Sequence, residues 1–220
     1  MELNYWKFMR EALEFGNIAL INNEVPVSAI LVDNDSGKIW YRAHNMTNKL
    51  INGTLHAEFQ IYNYLLENEN DHLKIWQNST LFVTVEPCIM CASMLDQVGI
   101  GKVVFGCPNE RFGGNGSVFK INYKSNYKII PGVGHKDAIS LLRKFYIGEN
   151  KHNPNSINKK KRVLNIDSFP ILNYEKYISR DEFISIWGVE NVKIFDNNYF
   201  LEFNDNGEVL CDDGNKKVKI

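Results

Sequence analysis

Four side chains constrain this sequence more than any other feature: His56, Glu58, Cys88 and Cys91. The two cysteines stand three apart, directly after Pro87. Proline suits the first turn of a helix, so both thiols open one helix and can converge on a single ion. The partial positive charge at a helix N-terminus favours thiolate over thiol. His56 opens a second helical stretch 32 residues upstream, with a strand between. Any fold of this chain that uses these residues together must therefore bring two helix starts to one point. Two sulfurs and an imidazole suit zinc at tetrahedral geometry. Three protein ligands leave the fourth position to water, which marks a catalytic rather than a structural site. Glu58, two residues after the histidine, is placed as general base beside that water without binding the metal.

Apolar periodicity supplies the frame around these residues. Residues 4–21 carry Trp6, Met9, Leu13 and Leu20 at helical spacing and read as an amphipathic helix. Residues 25–33 and 38–45 are β-rich about the turn Asp35-Ser36-Gly37 and predict a hairpin. A helix is expected over 57–69, then a nearly all-apolar and hence central strand at 79–86. The cysteine helix follows at 88–97 and a buried strand at 101–107, then a glycine-rich loop at 109–117, a strand at 127–132 and a helix at 136–148. The alternation of strands and helices argues for an α/β layered domain over residues 1–147. Residues 148–162 read as a polar linker and 163–220 as a small C-terminal appendage. In that appendage Ser179 and Glu182 have capping-box spacing, opening a short helix that stops at Gly188. A hairpin is expected about Asn204-Asp205-Asn206-Gly207.

Charge is distributed unevenly. Residues 1–147 balance 14 basic against 14 acidic side chains, residues 148–162 hold five basic and one acidic, and residues 163–220 hold six basic and 11 acidic. The basic excess is local: Lys159, Lys160, Lys161 and Arg162 in one run, then Lys216, Lys217 and Lys219 at the end. Such runs read either as solvated linker and tail or as contacts to a phosphate backbone. The chain has no apolar run of membrane-spanning length and a charged, mixed N-terminus, so an intracellular location and no membrane association are expected. Cys107 and Cys211 read as packing residues, and His44, His72, His135 and His152 lack ligand spacing.

His-x-Glu followed by Pro-Cys-x-x-Cys matches the general signature of the zinc deaminases. Beyond it, LHAEFQIYNYL, LFVTVEPCIMCASML, IGKVVFGCPNERFGGNGSV and LLRKFY resemble the wobble-position tRNA adenosine deaminases, with the nearest likeness to the catalytic subunit of the eukaryotic heterodimer. The resemblance covers about residues 3–147 and continues more loosely through RVLNIDSFP and the basic KKVKI. It implies a cytidine deaminase-like three-layer fold, a five-stranded mixed sheet flanked by helices. It implies hydrolytic conversion of adenosine to inosine at the first anticodon position of tRNA, with one zinc per chain, in the nucleus or cytoplasm. It also implies a partner subunit that is related but catalytically deficient; such partners lack the glutamate of His-x-Glu, and Glu58 places this chain on the catalytic side. Carried over by position, His56, Cys88 and Cys91 would bind the zinc and Glu58 would shuttle protons. Asn45 and Ala57 would meet the substrate base, and the basic end at Lys216, Lys217 and Lys219, with the run Lys159–Lys161 and Arg162, would grip the tRNA anticodon arm.

Other readings use the same residues. A Cys-x-x-Cys pair alone suits a thioredoxin-like redox couple, which has no need of His-x-Glu upstream. Half of a Cys₄ zinc site would need a second Cys-x-x-Cys, and the sequence has none. A deaminase of free nucleosides, nucleotides or bases uses the same metal site but has no use for a basic tail. A non-catalytic tRNA-docking subunit is opposed by the intact Glu58.

Overall fold

The computed structural model describes residues 3–123, 127–148, 163, 165 and 167–210. Helix α1 (Tyr5–Ile21) is capped by Asn4, whose side chain accepts from the Lys7 N–H at 2.9 Å. Strands β1 (Ser28–Asp33) and β2 (Ile39–His44) form the expected hairpin. Helices α2 (Ala57–Asn68) and α3 (His72–Gln77), strand β3 (Ser79–Val85), helix α4 (Ile89–Val98) and strand β4 (Lys102–Cys107) follow. Strand β5 (Lys128–Pro131) and helix α5 (His135–Ile147) come next, then α6 (Arg180–Trp187) and α7 (Val192–Asn197). The strand and helix bounds lie within three residues of those read from the sequence. The six-residue helices α3 and α7 were not foreseen, because they are too short to display a helical period.

The sheet is mixed and five-stranded, in the order β2-β1-β3-β4-β5. β1 runs antiparallel to both neighbours, while β3, β4 and β5 are parallel. Alternation along each strand feeds two cores. Leu31, Leu81, Val83, Val103 and Phe105 face α2, α3 and α4, while Ile30, Val32, Phe82 and Val104 face α1 and α5. This is the three-layer architecture expected for the chain. On the second face α1 crosses α5 closely at Gly16, where a Cβ would sit 2.6 Å from Leu141 Cδ2.

Residues beyond 163 add to the first core. Leu172, Tyr174, Tyr177, Phe183, Ile194, Phe195 and Leu201 are buried in the same cluster as Leu81 and Phe105. The Ser179–Glu182 capping box is formed, and α6 ends at Gly188. The expected hairpin is present in short form: Phe203 bridges Val209, and across the turn Asn204 N–H donates to Glu208 O at 3.0 Å and Leu210 N–H to Glu202 O at 2.8 Å. The hairpin also packs against α1. Phe203 stacks on Trp6 with ring centroids 5.4 Å apart, and the Asn4 amide donates to Asn206 O at 2.7 Å. The basic run Lys159–Lys161 with Arg162 and the tail residues Lys216, Lys217 and Lys219 lie outside the described residues.

Phe183 is fully buried between Tyr174 and Phe195. Phe183→Ala is expected to destabilise the whole domain by about 3–5 kcal/mol, read as a lowered midpoint of urea unfolding. A change below about 1 kcal/mol, in the range of a surface substitution, would mean that this segment is not integral to the core.

Candidate active site

Sheet topology brings four chain segments to one edge. β3 and β4 are parallel and end there at Val85 and Cys107, whereas β1 starts there, with Ser28 opposite His44 at the end of β2. Residues just beyond these ends line a cleft of about 670 Å³: Val25 and Val27 before β1, Asn45 after β2, Glu86 and Cys88 after β3, and Pro108 after β4. A crevice outside the carboxyl ends of parallel strands is where open α/β sheets bind ligands.

Two helices begin on the floor of this cleft. His56 is the N-cap of α2 and Cys88 the N-cap of α4, both with extended backbone, and Cys91 lies in the first turn of α4. The two helix starts therefore meet. His56 Nδ1 lies 3.5 Å from Cys88 Sγ and 3.5 Å from Cys91 Sγ, and among the described residues this is the one His/Cys/Asp/Glu trio able to share an ion. Tetrahedral zinc, with bonds of about 2.3 Å to sulfur and about 2.0 Å to nitrogen, requires a nitrogen–sulfur separation of about 3.5 Å. The donor set and its spacing fit zinc.

Electrostatics within the trio favour one thiolate. Cys91 donates a hydrogen bond to Cys88, and with His56 beside it this pushes the Cys88 thiol down to about 4 against the cost of burial. Cys91, which gives that hydrogen bond and is itself buried, is held well above the usual thiol range. The bond to Cys88 likewise raises His56, against burial, with Glu58 adding a smaller push. Glu58 is only 2% exposed, yet among the described residues its Oε2 has no hydrogen-bond partner, and the side chain lines the cleft. Burial raises its carboxyl above the ordinary range, with the Cys88 charge adding to the effect. A buried carboxylate oxygen left free beside a trio of metal-type donors is suited to move protons.

Asn45 is buried and lines the cleft, and its Oδ1 accepts the Ala57 N–H at 2.9 Å. This bond ties the end of β2 to the start of α2 and so helps to aim His56. Ala57 is fully buried, with its N–H engaged by Asn45.

The family model for the cytidine and deoxycytidylate deaminase zinc-binding region matches residues 4–107. The tRNA-specific adenosine deaminase 2 of Xenopus tropicalis is 36% identical over 170 residues, covering 73% of this chain and 98% of the relative. This chain belongs to the tRNA-specific adenosine deaminases. The tRNA-specific adenosine deaminase subunit tad2 of Schizosaccharomyces pombe is 42% identical over 161 residues, covering 71% of this chain but 41% of that longer relative. A solved structure from work on A-to-I editing by tRNA:A34 deaminases at the wobble position superposes with a TM-score of 0.53 at 25% identity, covering 61% of this chain and 98% of that one. It shares the deaminase fold described above. No helix among the described residues of this deaminase is long and apolar enough to cross a membrane.

Sequence reasoning did not single out the rim of the cleft. Phe112, Tyr146 and Ile171, each more than half exposed, stand around the opening with Arg111. It also passed over Glu86, although a glutamate closing an otherwise apolar strand before Pro-Cys was a visible signal.

In protein stripped of metal by a chelator, iodoacetamide is expected to modify Cys88 readily even at pH 6, because a thiol near 4 is already ionised there. Cys107, buried and pushed up to about 12, should stay unmodified. Peptide mass spectrometry across pH 5–9 checks this. A Cys88 rate that climbs only near the ordinary thiol range of about 8.5 would contradict the geometry.

Proposed function

We propose that this chain is the catalytic subunit of a wobble-position tRNA adenosine deaminase, converting adenosine to inosine at the first anticodon base, position 34, within a heterodimer whose other subunit is related but catalytically deficient. The observation that carries the reading is Glu58: buried, facing the cleft, and with a free carboxylate oxygen beside His56, Cys88 and Cys91. In this reading those three residues hold one zinc ion, which when bound acidifies a water to near neutrality and so supplies the nucleophile. Relatives named as tRNA-specific adenosine deaminases, and a structural neighbour from work on tRNA:A34 deaminases, support the substrate.

The chain's own residues then do the following. A stacked base offers no approach to its C6, so the nucleotide turns outward into the cleft. Asn45, with its amide oxygen engaged by Ala57, has its amide nitrogen left to meet the base. Glu58 takes a proton from the attacking water and places it on N1 of the purine as the C6–O bond forms. It then carries the second proton to the exocyclic amine, the C6–N bond breaks, and ammonia leaves with inosine as the product. Its raised carboxyl range suits a group that must hold and release protons in turn. Phosphates of the anticodon arm fall to the basic run Lys159–Lys161 with Arg162 and to Lys216, Lys217 and Lys219.

Glu58→Gln, purified with its partner, should keep its zinc while deamination of an anticodon stem-loop falls at least about 10²–10⁴-fold. Metal analysis and inosine detection check this together. Near-normal turnover would remove Glu58 from the mechanism, and free adenosine deaminated as well as the stem-loop would remove the RNA substrate.

A further inference from the structure

Glu86 is a charged residue in the cleft that the mechanism does not use. It is 1% exposed, and among the described residues its carboxylate accepts from neutral groups of the glycine-rich loop. Its Oε2 accepts the Asn109 N–H at 2.9 Å and the Ser117 hydroxyl. Its Oε1 accepts the Asn115 N–H at 2.9 Å and the Ser117 N–H at 3.1 Å. Four donors on one loop thus converge on two oxygens. A carboxylate can accept at both ends, whereas an amide of the same shape turns one end into a donor. The loop also approaches too closely for a side chain at its middle: a Cβ on Gly113 would lie 2.5 Å from Glu86 Oε2.

The same hydroxyl extends the network. Ser117 Oγ lies 2.7 Å from Tyr177 Oη. A serine hydroxyl has one proton, and Ser117 gives its proton to Glu86, so Tyr177 is the donor in that pair. Tyr177 belongs to the C-terminal segment, which also supplies Pro170 and Ile171 to the cleft wall. The loop is further fastened to the cysteine segment, with Ile89 N–H donating to Phe112 O at 2.8 Å and Gly114 N–H to Pro87 O at 2.9 Å. Between these anchors the loop turns outward at Arg111 and Phe112, on the rim of the cleft.

We propose that Glu86 is a positioning residue: it fixes the glycine-rich loop so that Arg111 and Phe112 receive the RNA flanking the target base, and Tyr177 couples the C-terminal segment to that loop through Ser117. The inference rests on the RNA-deaminase reading for its substrate but not for its geometry. It predicts an effect on substrate binding with proton transfer left alone.

The test compares Glu86→Gln, Tyr177→Phe and the double variant in the full chain with its partner, using an anticodon stem-loop as substrate. Glu86→Gln should retain zinc and the wild-type pH profile, with kcat within about threefold and KM raised about tenfold. Tyr177→Phe should raise KM about threefold, and adding it to Glu86→Gln should add little, since both act through Ser117. Amide hydrogen exchange over residues 109–117 should speed up about tenfold in Glu86→Gln. That readout is independent of activity, so an inactive wild type would defeat the RNA-deaminase reading while exchange still decided the role of Glu86. Should Glu86→Gln fail to fold, Tyr177→Phe and Ser117→Ala must show the KM rise and faster exchange on their own. Unchanged exchange, an unmoved KM, a fall in kcat with loss of zinc, or fully additive effects of the two substitutions would each overturn the proposal.

Discussion

The meeting of two helix N-termini at one sheet edge organises everything else in this molecule. α2 starts at His56 and α4 at Cys88, and the sheet brings those starts together by pairing β1 with both β2 and β3. The first N–H of α2, on Ala57, is taken by Asn45 Oδ1 and the first of α4, on Ile89, by Phe112 O, while the partial positive charge of the α4 N-terminus favours thiolate at Cys88. The same edge is the carboxyl end of the parallel strands, so the central, fully buried part of the sheet supports the donors rigidly. A site built this way inherits its precision from regular structure, and loops are needed only for the walls.

Those walls depend on buried carboxylates, which divide the work by what surrounds them. Glu24 is fully buried and accepts the Asn48 N–H at 3.0 Å, the Lys49 N–H at 2.7 Å and the Thr47 hydroxyl at 3.2 Å, which pins the loop after Asn45. Glu86 does the same for the glycine-rich loop across the cleft. Glu58 differs in that, among the described residues, its Oε2 has no hydrogen-bond partner. Two of the three are satisfied by fixed N–H and O–H donors, which is how a buried carboxylate avoids a large desolvation cost. The third retains an unspent acceptor where chemistry is proposed to happen.

Much of the fold was legible because strands and helices long enough to show a period carried one. β3 read as central from its nearly continuous apolar run, and α2 and α4 were located by residues that would also bear the proposed chemistry. The shortfalls have physical causes. α3 and α7 are too short to repeat. On α1 the packing stripe is Phe8, Met9, Ala12, Leu13, Gly16 and Ala19, and its small residues give no hydropathy signal although they permit the close crossing of α5. The donor trio was visible because its residue types are rarely placed together by chance. The rim, with Phe112, Tyr146 and Ile171, was not, since exposed apolar residues acquire meaning only once tertiary structure gathers them.

X-ray absorption at the zinc edge of the purified protein tests the proposed centre most directly. The expected first shell is two sulfurs at about 2.3 Å, with one imidazole nitrogen and one further light atom from water at about 2.0–2.1 Å. A shell of four protein donors, or one that keeps both sulfurs after Cys88→Ser, would contradict a catalytic zinc held by His56, Cys88 and Cys91.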